Sequence, residues 1–318
     1  MPPRAHSTSY RDAPVLVTGA SGFIASALGN ALAQAGAQVH GASRRRPSGI
    51  GAAFATHTPA DLSDFDACRR LVGEIRPQIV FHLASHVSGR QDLETVRHTL
   101  SANFVSTVNL LSALAEVATA KAIVIAGSSE EPRHFEHGVA STAPSTPYAA
   151  AKLGASAYGA FFRHTLGLPV AHARIFMGYG PGQLDLVKLV PYVTLSLLGG
   201  RKPSLTSGAK LADFTYIDDI VDGLMVLGLD PAIETLDIGT GRLTSVGEIA
   251  TRLRDMIAPE AELGFGALTD RVNESRLAAD VERSAALTGW RAKVGIEDGL
   301  ARTVDWYRNC MSDLGPVG

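Results

Sequence analysis

The sequence predicts an α/β protein built on a doubly wound parallel sheet with a smaller C-terminal α/β lobe, and three observations carry that expectation. Short apolar strand runs alternate with helical stretches through the first half of the chain. A glycine turn joins the first strand to the first helix, and after a Gly/Pro break at Gly178 to Gly182 the alternation loosens. Strands separated by helices need right-handed crossovers, and these produce a parallel sheet with helices on both faces.

The elements follow in order. Val15-Leu16-Val17 is a buried strand run, followed by helical content from Phe23 to Ala35 that Gly36 closes. Strand patterns recur at Gln38 to Ala42, Ile79 to Leu83 and Ala122 to Ala126, and helix patterns at Asp64 to Ile75 and Thr95 to Glu116. Beyond Pro147 a long helix runs to about His164, and the strand Val170 to Phe176 follows. Residues 1–12 and 311–318 read as flexible tails. Residues 13–182 form the sheet domain, completed by parts of 213–240, and residues 183–212 and 241–310 form the smaller lobe. No internal repeat or low-complexity tract interrupts this plan.

Composition excludes several classes. The 318 residues are 46% hydrophobic and 19% charged, a globular balance. With 29 basic and 31 acidic residues the net charge is -2, so no positive field recruits nucleic acid or an anionic membrane. The polar N-terminus lacks the apolar core of a secretory signal. The most apolar stretches, near Val15 to Val39 and Leu186 to Leu198, are broken by Asn30, Gln34, Lys188 and Pro191, so neither reads as a membrane span. Cys68 and Cys310 lie far apart without metal-ligand spacing, which suits a reducing cytoplasm. His134-x-x-His137 lacks a third ligand, so no metal is expected.

The first turn reads Thr18-Gly19-Ala20-Ser21-Gly22-Phe23-Ile24-Ala25. Glycines at such a turn let backbone amides approach a pyrophosphate, and the helix N-terminus adds partial positive charge. Its strand-turn-helix context marks it as a dinucleotide-binding, Rossmann-type turn. At the end of the second strand, where a carboxylate would bind an NAD ribose, stands Ser43-Arg44-Arg45-Arg46. A hydroxyl followed by guanidinium groups suits the 2′-phosphate of NADP; the alternative is a solvated basic loop.

Ser128 and Ser129 follow the fifth strand, and Tyr148-x-x-x-Lys152 lies on the next helix. Residues four apart share a helix face, and ligands bind at the carboxyl ends of the strands in open parallel sheets. Lowering a tyrosine pKa by about 3 units takes about 4 kcal/mol, which a neighbouring ammonium and an oxidised nicotinamide would help provide. On this reading Lys152 lowers the tyrosine pKa and binds ribose hydroxyls, Tyr148 exchanges the proton, and a serine hydrogen-bonds the substrate oxygen. Ser128 is the preferred hydroxyl and Ser129 the alternate. A nucleophilic triad around Ser128 is excluded, because no histidine follows in a nucleophile-elbow context.

Together these motifs resemble the extended short-chain dehydrogenase/reductases, the NAD(P)-dependent epimerase/dehydratase family, over about residues 14 to 307. Asp61-Leu62 resembles the pair bordering the adenine, and His82-Leu83-Ala84-Ser85 the stretch beside the cofactor ribose, with His82 itself read as a packed strand residue. Asn103, in Asn103 to Leu111, resembles a residue that organises the active site; simple packing is the other reading. Glu130 and Glu131 resemble carboxylates of sugar-nucleotide dehydratases and 4-keto reductases, or else they are solvated loop charges. Arg174 to Gln183 is similar to the loop that closes on nicotinamide and substrate, with Met177 where asparagine is usual. Asp213-Phe214-x-x-Ile217-Asp218-Asp219 matches a family signature in which Ala212 replaces arginine, leaving Lys210 or Arg271 for the phosphate contact.

The resemblance implies an NADPH-dependent reductase of a 4-keto-6-deoxyhexose nucleotide, binding substrate through Glu130, Met177, Gln183, Lys210 and Arg271. The alternatives are an epimerase of the same family, a reductase of a non-nucleotide ketone, and a non-enzymatic NADP sensor. It also implies a homodimer formed through two helices, around Thr95 to Glu116 and Tyr148 to His164.

Overall fold

A computed structural model describes residues 9–46, 53–131, 143–270 and 276–314. Seven parallel strands form the main sheet: β1 (Pro14–Thr18), β2 (Gln38–Ser43), β3 (Thr56–Pro59), β4 (Ile79–His82), β5 (Ala122–Ser128), β6 (Val170–Ile175) and β9 (Thr235–Ile238). Their spatial order is β3-β2-β1-β4-β5-β6-β9. The chain reverses direction across the sheet between β1 and β4, and that switch point opens a crevice at the strands' carboxyl ends. This is a Rossmann-like α/β fold, as the sequence predicts.

Both faces of the sheet are covered because the strands are apolar on both. Val15 and Val17 of β1 enter one core with α1 (Phe23–Gln34) and α7 (Ile217–Leu229), while Leu16 enters the other with α2 (Phe65–Ile75) and α4 (Ser106–Val117). Val124 and Ile123 of β5 divide in the same way, the two-residue period of a strand buried on both sides. Local signals fix the helix ends. Asp64 caps α2 by accepting from the Asp66 amide, and Thr146 caps α5 (Pro147–His164) by accepting from Ala149, with Pro147 in the first helical turn.

A single helix was expected over Thr95 to Glu116. The chain instead forms α3 (Leu93–Thr99), a π-helical turn (Leu100–Val105) and α4, started by an Asp92 cap. The run Leu93–Val117 is long and apolar enough to cross a membrane by length and composition alone. Here Leu110, Leu111 and Leu114 pack on the sheet, and the buried Asn103 and Thr107 hydrogen-bond to neighbouring structure, so the second half of the run is part of the core.

The tails differ from expectation. Tyr10 is 5% exposed and its hydroxyl donates to the Met225 carbonyl at 2.6 Å, so the described end of the N-terminal tail is packed against α7. The last helix, α10 (Ile296–Leu314), continues past residue 310. Of the 213–240 segment only β9 completes the main sheet. β8 (Leu211–Tyr216) pairs instead with β7 (Met177–Tyr179) and β10 (Leu243–Ser245) in a separate three-stranded sheet. The helices α6 (Leu189–Leu198), α8 (Val246–Ile257) and α9 (Val281–Thr288) complete the C-terminal part.

Candidate active site

The glycine turn is built for close approach. Gly19 has φ +70°, and a Cβ there would lie 2.8 Å from the backbone N and Cα of Ala84. The turn therefore packs directly on the chain leaving β4. Gly22 caps α1 without any side-chain hydrogen bond, and the first turn of α1 holds no acidic residue. The first amides of α1 are thus left for an anion, which is what a dinucleotide pyrophosphate requires. Ser21 is exposed beside them, while Phe23 and Ile24 pack partly into the core. Ala25, where the family prefers glycine, is 2% exposed in the core, so its methyl group is accommodated.

At the end of β2, Arg44, Arg45 and Arg46 are exposed. Ser43 does not offer a free hydroxyl: it donates to the Arg45 carbonyl at 2.6 Å and lies 2.9 Å from His57 Nε2. His57 escaped sequence reasoning because only the β2–β3 pairing brings it there. Asp61 accepts from the Ser63 amide and hydroxyl, which together with the nearby Arg44 charge hold its carboxyl below the usual range. Leu62 is buried in one core, with Ala84 packed partly against it, and Leu83 packs partly against the other.

The remaining groups converge beyond β4 and β5. Tyr148 is 7% exposed, with the hydroxyls of Ser128 and Ser85 within hydrogen-bond reach. Ser85 in turn donates to Asn103 Oδ1 at 3.1 Å, and Asn103 clamps the His86 backbone by accepting from its amide and donating to its carbonyl. Asn103, fully buried at the π-helical turn, thus places Ser85 without facing the crevice. Lys152 Nζ donates to the Ala126 carbonyl at 2.8 Å and lies 6.0 Å from the Tyr148 ring centroid. Ser129 is half-buried next along the chain, its amide bound to the Ile175 carbonyl.

Without a nicotinamide at the site, burial raises the Tyr148 pKa well above its ordinary value, and the charges of Glu130 and Glu131 raise it further. Two hydroxyl hydrogen bonds oppose this incompletely, so the phenol keeps its proton at neutral pH. Burial pushes Lys152 down to about 8, against the pull of the Glu131 carboxylate. His82 is the packed strand residue expected: its nitrogens contact Thr18 and Thr107 at 2.8 and 2.9 Å, and burial with the nearby Lys152 charge lowers it to about 3.

The carboxylates split. Glu130 is half-buried and accepts from the Thr146 hydroxyl at 3.3 Å. Glu131 is 2% exposed, which overturns its reading as a solvated loop charge. Met177 begins β7, and the Gln183 side chain donates to Gly178 while its carbonyl accepts from Tyr307, so Gln183 braces the loop after β7. Lys210 is half-buried just before β8. Asp213 and Asp219 act as fasteners: Asp213 accepts from Thr240, Gly241 and Ala279, and Asp219 from Lys293 and Val294. Arg271, His134 and His137 lie outside the described residues, among which no group of three metal-ligating side chains assembles.

A model of the NAD dependent epimerase/dehydratase family matches residues 15–239. The chain belongs to that family. It is therefore an enzyme of the extended short-chain dehydrogenase/reductases, a nicotinamide-dinucleotide-dependent superfamily. It is 30% identical to a UDP-glucose 4-epimerase of Mycolicibacterium smegmatis, over 92% of this chain and 98% of that one. A dTDP-glucose 4,6-dehydratase of Actinoplanes is 33% identical, over 52% of each chain. Among solved structures, an epimerase from Methanothermobacter thermautotrophicus superposes with a TM-score of 0.86 at 26% identity, covering 96% of this chain and 95% of that one. MoeE5 in complex with UDP-glucuronic acid and NAD superposes with a TM-score of 0.80 at 28% identity, covering 93% of this chain and 99% of that one.

Proposed function

We propose that the protein reduces the 4-keto group of a 6-deoxyhexose nucleotide with NADPH. The observation that supports this reading is the meeting of Tyr148 with the Ser128 hydroxyl and, 6.0 Å from its ring, the Lys152 ammonium at the end of β5. Ketone reduction needs a proton delivered to the carbonyl oxygen, and a phenol protonated at neutral pH and hydrogen-bonded to Ser128 is placed to deliver it. Tyr148 gives that proton, and the Ser128 hydroxyl steadies the oxygen that receives it. The Lys152 ammonium holds the cofactor ribose. When bound, NADPH supplies the hydride. Ser85, fixed by Asn103, keeps the Tyr148 hydroxyl aimed. The nucleotide-sugar substrate is supported by the relatives' names, and Glu130, Met177, Gln183, Lys210 and Arg271 remain the proposed substrate contacts. An epimerase is the second reading, favoured by the full-length similarity to a UDP-glucose 4-epimerase.

Stoichiometry separates the two. Incubation with NADPH and a panel of 4-keto and 4-hydroxy nucleotide sugars is expected to consume one NADPH per 4-keto sugar converted. Inversion of a 4-hydroxy sugar without loss of reduced-nicotinamide absorbance would establish the epimerase.

NADP is proposed over NAD because Arg44 to Arg46 present guanidinium groups where an acidic ribose ligand is missing. Arg44→Ala is expected to weaken NADPH binding by about 10- to 100-fold, from about 1.5–3 kcal/mol for a charged hydrogen bond, and to leave NADH binding unchanged. Titration of both cofactors checks it; equal affinities in the unaltered protein would refute the preference.

We also propose a homodimer. Leu93, Val96 and Leu100 line one side of α3 and the π-helical turn, exposed alongside Tyr158 and Phe161 of α5. Apolar residues at i, i+3 and i+7 form a helical stripe of the kind buried in contacts, and this stripe lies on the two helices expected to pair. Sedimentation equilibrium is expected to give twice the 33.4 kDa chain mass. Two free thiols suit the proposed cytoplasmic setting.

A further inference from the structure

Behind the reacting groups lies a buried pair that the reaction itself does not use. Glu131 Oε1 accepts from the Ser128 amide at 2.6 Å, and Oε2 lies 3.3 Å from His172 Nε2, an ionic contact without hydrogen-bond alignment. The two side chains are 2% and 9% exposed. They come from different elements: Glu131 from the turn after β5, His172 from the middle of β6, paired with Ile125. Gly127 makes room for them. A Cβ at 127 would overlap the His172 ring and lie 2.7 Å from Glu131 Oε1, so both groups pass over the bare backbone at the end of β5. That stretch of strand also carries the Ala126 carbonyl that anchors Lys152.

We infer that Glu131 and His172 are positioning residues. Their buried contact pins the last residues of β5 through the Ser128 amide, and so sets the Ser128 hydroxyl against Tyr148 and the anchor of Lys152. This rests on the proposed function for its turnover readout only. An unpinned turn would let Ser128 move relative to Tyr148, and misplacement by about 1 Å is enough to slow a reaction about 100-fold. The charge of Glu131 acts in the same direction, since it raises the Lys152 pKa that burial lowers. The carboxyl stays ionised against its own burial because His172, the Ser128 amide and Lys152 favour the charged form. Other charged groups near the pair are Glu130 and, across a cleft of about 70 Å³ on the far side of His172, Arg163, His164 and Glu234.

The test compares Glu131→Gln, His172→Leu and His172→Gln in the full-length protein. The readouts are kcat and KM for the nucleotide sugar, and the NADPH dissociation constant between about pH 6 and about pH 10. Glu131→Gln and His172→Leu are expected to lower kcat by about 10- to 100-fold with KM changed less than about threefold. His172→Gln, whose amide is polar and can donate to Glu131, is expected to recover kcat to within about fivefold of the unaltered enzyme. In Glu131→Gln, the weakening of NADPH binding with rising pH is expected to begin lower, because the ammonium of Lys152 is lost sooner. A lowered Tm with unchanged kcat and an unchanged NADPH pH curve would overturn the inference. So would an inactive Glu131→Gln beside a near-normal His172→Leu, since that pattern means Glu131 touches the substrate. Should the unaltered protein turn over no nucleotide sugar, the proposed function fails. The NADPH pH curve of Glu131→Gln then decides the pair's role alone, a downward shift supporting it and an unchanged curve refuting it.

Discussion

Tyr148→Phe is expected to slow turnover by about 100- to 10,000-fold while leaving NADPH affinity within about threefold of the unaltered protein. The substitution removes one oxygen and keeps the buried ring, so the packing of α5 against β5 survives. What disappears is the hydroxyl that meets both the Ser128 and Ser85 hydroxyls and that the proposed reaction uses to transfer the proton. On the proposed reading, cofactor binding depends on other atoms, chiefly the glycine turn and the Lys152 ammonium. Lys152 therefore sets the alkaline limit. Its ammonium form predominates below about 8, so NADPH affinity is expected to fall as pH rises through that value, well before Tyr148 ionises. Steady-state rates and NADPH fluorescence titrations measure both quantities. Turnover of Tyr148→Phe at near-normal rates would contradict the assigned proton transfer.

Gly19→Ala is expected to weaken NADPH binding by at least about 100-fold and to lower thermal stability. Two effects add. A non-glycine residue at φ +70° costs about 1–2 kcal/mol, and the new Cβ would sit 2.8 Å from backbone atoms of Ala84, which cannot rotate away as a side chain could. Either the turn or the chain after β4 must move, and both border the crevice. Gly167→Ala separates the two effects. Gly167 has φ +72° but nothing within 4 Å of its Cβ position, so this variant is expected to lose stability from backbone strain alone and to bind NADPH normally. Calorimetry and cofactor titration of the pair check this. Normal NADPH binding by Gly19→Ala would show that the close packing on Ala84 is dispensable.

The parts of this protein that were legible in its sequence are those whose causes are local. The turn at Gly19 is readable because a left-handed backbone angle is a property of one residue. Tyr148 and Lys152 are readable because a helix places residues four apart on one side whatever surrounds it. The strands β1, β4 and β5 appear in the sequence because burial on both faces demands unbroken apolar runs.

What only the tertiary structure decided involves residues that meet across the chain. The ring of Tyr10 reaches α7, turning an expected tail into part of the core. Asn103 faces inward through a π-helical turn that no periodicity announces, and so governs Ser85 rather than touching the crevice. The contact of Ser128 with Tyr148 follows from how β5 ends. The direction of the Tyr148 pKa was invisible for the same reason. Sequence places a lysine beside the tyrosine, but desolvation, which outweighs the opposing hydrogen bonds there, exists only once the surrounding elements have packed.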